Sequence, residues 1–195
     1  MIKEDFKDIS NFFIELQSET DRGLPLVASA LIDKKLLATL QSFFCIGKAA
    51  NHLLIDNNAP LGSFSSRIEA CFALGLIDEF EYKEISLIRK IRNEFAHSLH
   101  GFSFKNEKVI GWCSNLQSDL PLGSDYPIND PKYRFINSTI CLVLRLYYRN
   151  EYVAKEKRNQ KTWIDPNEMR WHSVLEEPLP DRKDLVVLTK SKNPK

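Results

Sequence analysis

From Asp78 to His100 the chain reads DEFEYKEISLIRKIRNEFAHSLH, and Tyr82, Ile85, Ile88, Ile91, Phe95 and Leu99 recur at intervals of three and four. A helix of about 3.6 residues per turn gathers such positions into one stripe, so the segment predicts an amphipathic helix of about six turns with one side buried. Asp78 and Glu81 make a variant capping box at its start, and Gly101 is expected to end it.

The same periodicity recurs elsewhere. Phe6, Ile9, Phe13 and Leu16 predict a first helix. A second follows through Val27, Ala30, Leu31, Leu37, Leu40 and Phe44, with Pro25 near its start, where a missing amide does least harm. IGKAANHLLI either continues it or forms a short third piece. DNNAPLG combines Asn, Pro and Gly and so reads as a loop, after which Ser63 is the expected N-cap of SFSSRIEACFALG and Gly75 its left-handed end. The connection near 102–131 reads as irregular, with a short hairpin around FSFKNEKVIGW and Asn106 in its turn. KYRFINSTICLVLRLYYRNEYVAKEKR reads as one last long helix, apolar on most sides. The expectation is an all-α, single-domain bundle of about five helices over residues 1–161. Residues 162–195, with prolines at 166, 178, 180 and 194 and tryptophans at 163 and 171, read as an extended segment that wraps the surface and ends in a frayed basic terminus.

Charge and cysteine usage narrow the function classes. Against 27 Lys and Arg stand 26 Asp and Glu, so no global positive field exists to hold phosphate backbones or an anionic membrane, and any nucleic-acid contact must be local. Cys45, Cys71, Cys113 and Cys141 are too far apart in sequence for a zinc knuckle or a thioredoxin-like site, and three of them sit among apolar neighbours as core residues do. His52 and His172 have no partners at ligand spacing. No metal and no cofactor is expected. The polar start MIKEDFKDIS and the lack of a long apolar run point to a cytoplasmic protein that does not cross a membrane.

Chemistry concentrates at Arg92 to His97, RNEFAH. On a helix Asn93, His97 and His100 share a face with Arg89, whereas Arg92 stands about 140° from His97, so one isolated helix makes a poor active site. Two copies packed antiparallel, or a neighbouring helix, would set an arginine against a histidine. On RNA that pair has a definite use: imidazole moves the proton of the 2′-hydroxyl or the leaving oxygen, and guanidinium stabilises the charge growing on phosphate. Otherwise Arg92 is a solvated helix residue, and His97 and His100 favour the negative end of the helix dipole.

Three weaker sites stand beside it. Ser63, Ser65 and Arg67 flank a helix N-terminus and form a candidate anion site, or simply cap that helix. Between Arg145 and Lys161 six basic and two acidic residues alternate with Tyr147, Tyr148 and Tyr152. Arg145 and Arg149 could there track RNA phosphates while rings stack bases, or the tyrosines simply pack and the charges are solvated. Glu19, Asp21 and Arg22 form a polar cluster that could face Arg67 or Arg92, or a surface cap.

The block Ala59 to His97, through Pro60-Leu61-Gly62, the Ser65-x-Arg67 step, Leu74-Gly75-Leu76-Ile77 and the acidic start of the next helix, resembles the core of the mannitol operon repressor family. Glu19 to Gly23 and the apolar helix after it also look like that family's amino-terminal helices, so the resemblance covers roughly residues 5–105. It implies a helical bundle with no recognised DNA-reading module, grouped with transcriptional regulators and acting through protein partners such as a transcription factor. The residues agree, for no helix-turn-helix with a basic recognition helix and no zinc finger is visible. The hexapeptide is also similar to the signature of HEPN-domain proteins, all-α dimers many of which are metal-independent ribonucleases. That resemblance places Arg92 and His97 in the catalytic positions, Asn93 in the polar position after the arginine, and Leu99 where one toxin subgroup carries a tyrosine. A homodimeric regulator that binds another protein is the leading expectation, and a HEPN-like endoribonuclease that cuts RNA the alternative.

Overall fold

The computed structural model describes residues 3–98, 101–119, 127, 129–157, 159–163, 171–173 and 187–189. Leu99, His100, Pro121 and the prolines at 166, 178, 180 and 194, on which several of the expectations above fall, lie outside the described residues. Contacts divide the chain into residues 1–158 and 159–195.

The first unit is all-α. Its helices are α1 (Lys3–Ser18), α2 (Gly23–Phe43), α3 (Lys48–Leu54), α4 (Phe64–Ala73), α5 (Glu79–His97), α6 (Glu107–Ser114), α7 (Pro131–Leu146) and α8 (Arg149–Ala154). In the second unit Trp171–Ser173 (β1) and Val187–Thr189 (β2) pair in parallel, with Trp171 opposite Val187. Among the described residues no helix is long and apolar enough to cross a membrane.

Helix α2 occupies the centre, touching α4, α5, α7 and α8. Leu24, Ala28, Ile32, Leu36 and Leu40 recur every four residues along it and are fully buried, whereas of the expected stripe only Leu40 is fully buried and Ala30 is exposed. On α5 Ile85, Ile88, Ile91 and Phe95, three or four residues apart, are fully buried as well. Each such side chain removed from water contributes about 1.5–3 kcal/mol, which is why the apolar stripes dictate the packing. Rings close the far end: Phe95 lies 4.9 Å from both Phe102 and Phe104, and Phe104 lies 5.4 Å from Phe135 of α7.

The helix starts follow local side-chain chemistry. Ser63 Oγ accepts the Ser66 amide at 3.0 Å while Ser66 Oγ takes the Ser63 amide, closing a capping box on α4. Asp78 and Glu81 make the expected box on α5, with the Glu81 amide on Asp78 Oδ1 at 2.7 Å. Gly75 ends the α4 segment at φ +69°, where a side chain would be strained. A Cβ on Gly62 would stand 2.9 Å from the Ala59 carbonyl, so the tight Pro60-Leu61-Gly62 turn needs glycine.

Of the two readings of IGKAANHLLI, the separate short piece is the one that forms, as helix α3 after a break at Phe44. Four expectations are corrected. The described residues hold more helices than about five. Helix α5 ends at His97, four positions before Gly101, with Ser98 extended. No hairpin forms around Asn106: its side chain caps α6 by accepting the Lys108 amide at 3.0 Å, and Val109 and Cys113, four residues apart, are buried as helical spacing requires. The last long helix is broken at Tyr147 and Tyr148. The Tyr147 amide bonds back to Leu144 in a tightened turn, and the Tyr148 carbonyl starts α8 by accepting the Glu151 and Tyr152 amides.

Candidate functional site

A groove of about 440 Å³ opens between α2, the start of α4 and α5, lined by Leu26, Ser29, Ala30, Asp33, Ser63, Phe64, Ser65, Arg89, Arg92 and Asn93. The register of three helices assembles it. Burial of Ile88 and Ile91 turns Arg89, Arg92 and Asn93 to the flank of α5, and the Ser63 cap aims the first turn of α4 at that flank. Arg92 Nη1 donates to Asn93 Oδ1 at 3.0 Å, which holds the guanidinium in place without neutralising it. Across the groove Asp33 Oδ2 receives Arg67 Nη1 at 2.7 Å, while Ser29 Oγ and Asp33 Oδ1 are buried without a hydrogen-bond partner among the described residues.

Arg67 belongs to the framework. Its Nε donates to the Leu61 carbonyl at 2.9 Å and its Nη2 to the Leu54 carbonyl at 3.4 Å, so the guanidinium ties the loop before α4 to α2. It borders a separate depression, over Leu54 to Gly62, and does not join Ser65 in the groove. His97 is exposed on yet another depression, with Lys90, Asn93, Glu94, Ser98 and Trp112. Asn93 borders both, but within one chain Arg92 and His97 do not share a cleft.

The remaining candidates are engaged elsewhere. Arg145 Nη2 meets Asp78 Oδ2 at 2.6 Å, and Arg145 Nε and Arg149 Nη2 meet Glu81 Oε1 at 3.1 and 2.7 Å. Burial pulls the Arg145 pKa down, but the hydrogen bonds and charges of Glu81 and Asp78 outweigh it and the net shift is upward. The tyrosines beside them do not form one strip: Lys35 Nζ sits 3.9 Å over the Tyr147 ring, whereas Tyr152 is exposed. Asp21 pairs with Lys132 Nζ at 2.9 Å and Arg22 reaches the Ser98 carbonyl, so that polar cluster faces α7 and the end of α5 instead of Arg67 or Arg92. Among the described residues no group of three or more His, Cys, Asp or Glu is placed to hold a metal ion. Sequence reasoning missed Ser29 and Asp33. The available signal was a polar pair four residues apart in an otherwise apolar stretch of α2.

The family model described as "Mannitol repressor" matches residues 16–129, more than half of the chain and all of the groove. The chain belongs to the mannitol repressor family. Two curated relatives of that kind, the mannitol operon repressors of Escherichia coli strain K12 and of strain O6:H1 (CFT073), are 31% identical over 64 residues. The aligned segment is 33% of this chain and spans only 33% of either relative's length. The X-ray structure of the MtlR-HPr complex from Escherichia coli superposes with a TM-score of 0.50 at 22% identity, covering 75% of this chain and 98% of that one. That likeness shows a shared fold, and it supports the all-α class independently of the helix periodicities. The mannitol repressor match begins at the end of α1 and stops before α7, so the groove lies inside the part common to the family.

Proposed function

We propose that this chain is a regulatory protein that acts by binding another folded protein, in transcriptional control and without a DNA-reading module of its own. Membership of the mannitol repressor family carries the reading. The related MtlR is described in complex with HPr, and we extend that mode to this chain, with a small folded protein of the HPr kind as partner. The surface around α3 suits such contact. Ile46 is 89% exposed and Ile55 56%, with Leu53 also in water, in a segment that buries only Leu54. Large apolar side chains gathered in water mark contact surfaces more often than isolated ones do.

Calorimetric titration of the purified chain with HPr from the same organism tests both steps. A stoichiometric complex is expected, and Ile46→Asp with Ile55→Asp should weaken it by about a hundredfold while leaving the melting temperature unchanged. No complex would overturn the reading, and a complex indifferent to both substitutions would move the contact off α3.

Ribonuclease activity would need a second copy of the chain to bring His97 against Arg92, because one chain separates them. Incubation with RNA in EDTA reads this directly. Cleavage that disappears in His97→Ala, leaving 2′,3′-cyclic ends, would replace the regulatory reading with catalysis.

A further inference from the structure

We propose that the groove between α2, the start of α4 and α5 binds a small phosphate-bearing anion, either free phosphate or the phosphomonoester of a small hydroxylated molecule. This inference does not depend on the protein-partner reading. Arg89 and Arg92, one turn apart on α5, both border the groove, and among the described residues neither is held in an ion pair. Guanidinium forks match phosphate oxygens two at a time, and Arg92 has only one donor engaged, on Asn93. At the start of α4 the Ser66 and Arg67 amides are taken by Ser63, but no acceptor among the described residues takes those of Phe64 and Ser65. Unsatisfied amides at the positive end of a helix dipole add to the pull on an anion.

A second observation comes from α2. Ser29 is only 3% exposed, borders the groove, and its Oγ has no partner among the described residues. A buried hydroxyl left unpaired is costly and rare in native proteins, and an oxygen of a bound ligand would complete it. The one carboxylate in the groove, Asp33, has its charge answered by Arg67 through Oδ2 and leaves Oδ1 without a donor. An unused acceptor beside two arginines selects an anion that also carries an O–H, such as a protonated phosphate oxygen or a hydroxyl of an ester. The groove's size suits a small molecule. Arg89 also borders a neighbouring depression with Glu69 and Tyr82, so it closes one flank of the groove, whereas Arg92 does not line that depression.

Calorimetric titration with inorganic phosphate and with glycerol 3-phosphate, at constant ionic strength and with chloride as the blank, tests the site in the full chain. One saturable site per chain is expected, weakened by about tenfold or more in Arg92→Gln and in Arg89→Gln. Ser29→Ala should weaken binding yet raise the melting temperature of the ligand-free protein, a pair of opposite signs that a purely structural serine would not produce. Tighter binding of the ester identifies an organic phosphate as the ligand class, and equal or tighter binding of phosphate identifies the free ion. If an arginine variant melts early, Arg92→Lys, which keeps the charge and loses the fork, reads the same loss. Absence of saturable binding to both probes, or binding that neither arginine variant changes, overturns the proposal.

Discussion

Glu81 and Arg149 meet through two hydrogen bonds, Nη2 to Oε1 at 2.7 Å and Nη1 to Oε2 at 3.1 Å, although 68 positions separate them. The carboxylate is fully buried and also accepts Arg145 Nε and the Asp78 amide, so one side chain caps α5 and anchors the α7–α8 junction. Arg149 Nη1 reaches the Leu76 carbonyl at 2.7 Å as well.

Glu81→Gln keeps the shape and removes the charge, leaving two arginines without their shared partner. We expect a loss of roughly 3 kcal/mol, since breaking a buried pair on one side costs more than the pair contributes. Urea unfolding followed by circular dichroism checks this: the midpoint should fall with little change in slope. A loss under about 1 kcal/mol would mean that water takes over the role of the carboxylate.

Burial pushes the Cys71 and Cys113 thiols up to about 12 from the ordinary 9.0. The folded chain keeps these protons where the unfolded chain begins to lose them. Their contribution is therefore complete below pH 9.0 and is lost as pH rises from there to about 12. Stability should decline across that alkaline window. With a maleimide at neutral pH, mass spectrometry should find exposed Cys45 modified first, and Cys71 and Cys113 modified only on unfolding.

Two positions on one helix should behave oppositely. Phe95→Ala empties the ring cluster with Phe102 and Phe104 and should cost about 3–5 kcal/mol. His97→Ala removes an exposed side chain and should change stability by no more than about 0.5 kcal/mol. Thermal melts of the two variants separate them, and a large loss from His97→Ala would show that the imidazole has a packing role.

Ser63→Ala deletes the acceptor of the Ser66 amide and should cost about 1 kcal/mol, against a few tenths for Ser63→Gly, which leaves that amide open to water. Denaturant midpoints of the two variants give the comparison. Equal losses would mean that Ser63 Oγ supports something other than the start of α4.

What was legible in the sequence was what residues a few positions apart decide. The existence of α2, the apolar intervals on α5, the cap at Ser63, the box from Asp78 to Glu81 and the turn at Gly75 all depend on near neighbours. The buried face of α2 was not legible, since Leu24, Ala28, Ile32 and Leu36 fill the core where Val27, Ala30, Leu31 and Leu37 were expected. Elements governed by distant partners were misread. Phe102 and Phe104 alternate like a strand, yet their environment is Phe95 of α5, with Phe135 of α7 against Phe104. The apolar run through Tyr147 and Tyr148 reads as continuous helix, and nothing local announces that Arg149 must reach Glu81. At the candidate site, Arg89 and Asn93 were visible on one helix face, though grouped with His97 and not with Arg92, and Ser63 and Ser65 were visible as a helix start. Their convergence on Ser29 and Asp33 depends on how three helices cross, which no spacing along the chain encodes.

The bond between Asp33 and Arg67 is a partition with a different room on each side. Asp33 borders the groove with Arg89 and Arg92, and Arg67 borders the hollow over Leu54 to Gly62, where it also holds the Leu54 and Leu61 carbonyls. One guanidinium thus serves both sides, for the carboxylate that faces the groove and the Leu54 and Leu61 carbonyls that shape the second hollow all hang from Arg67.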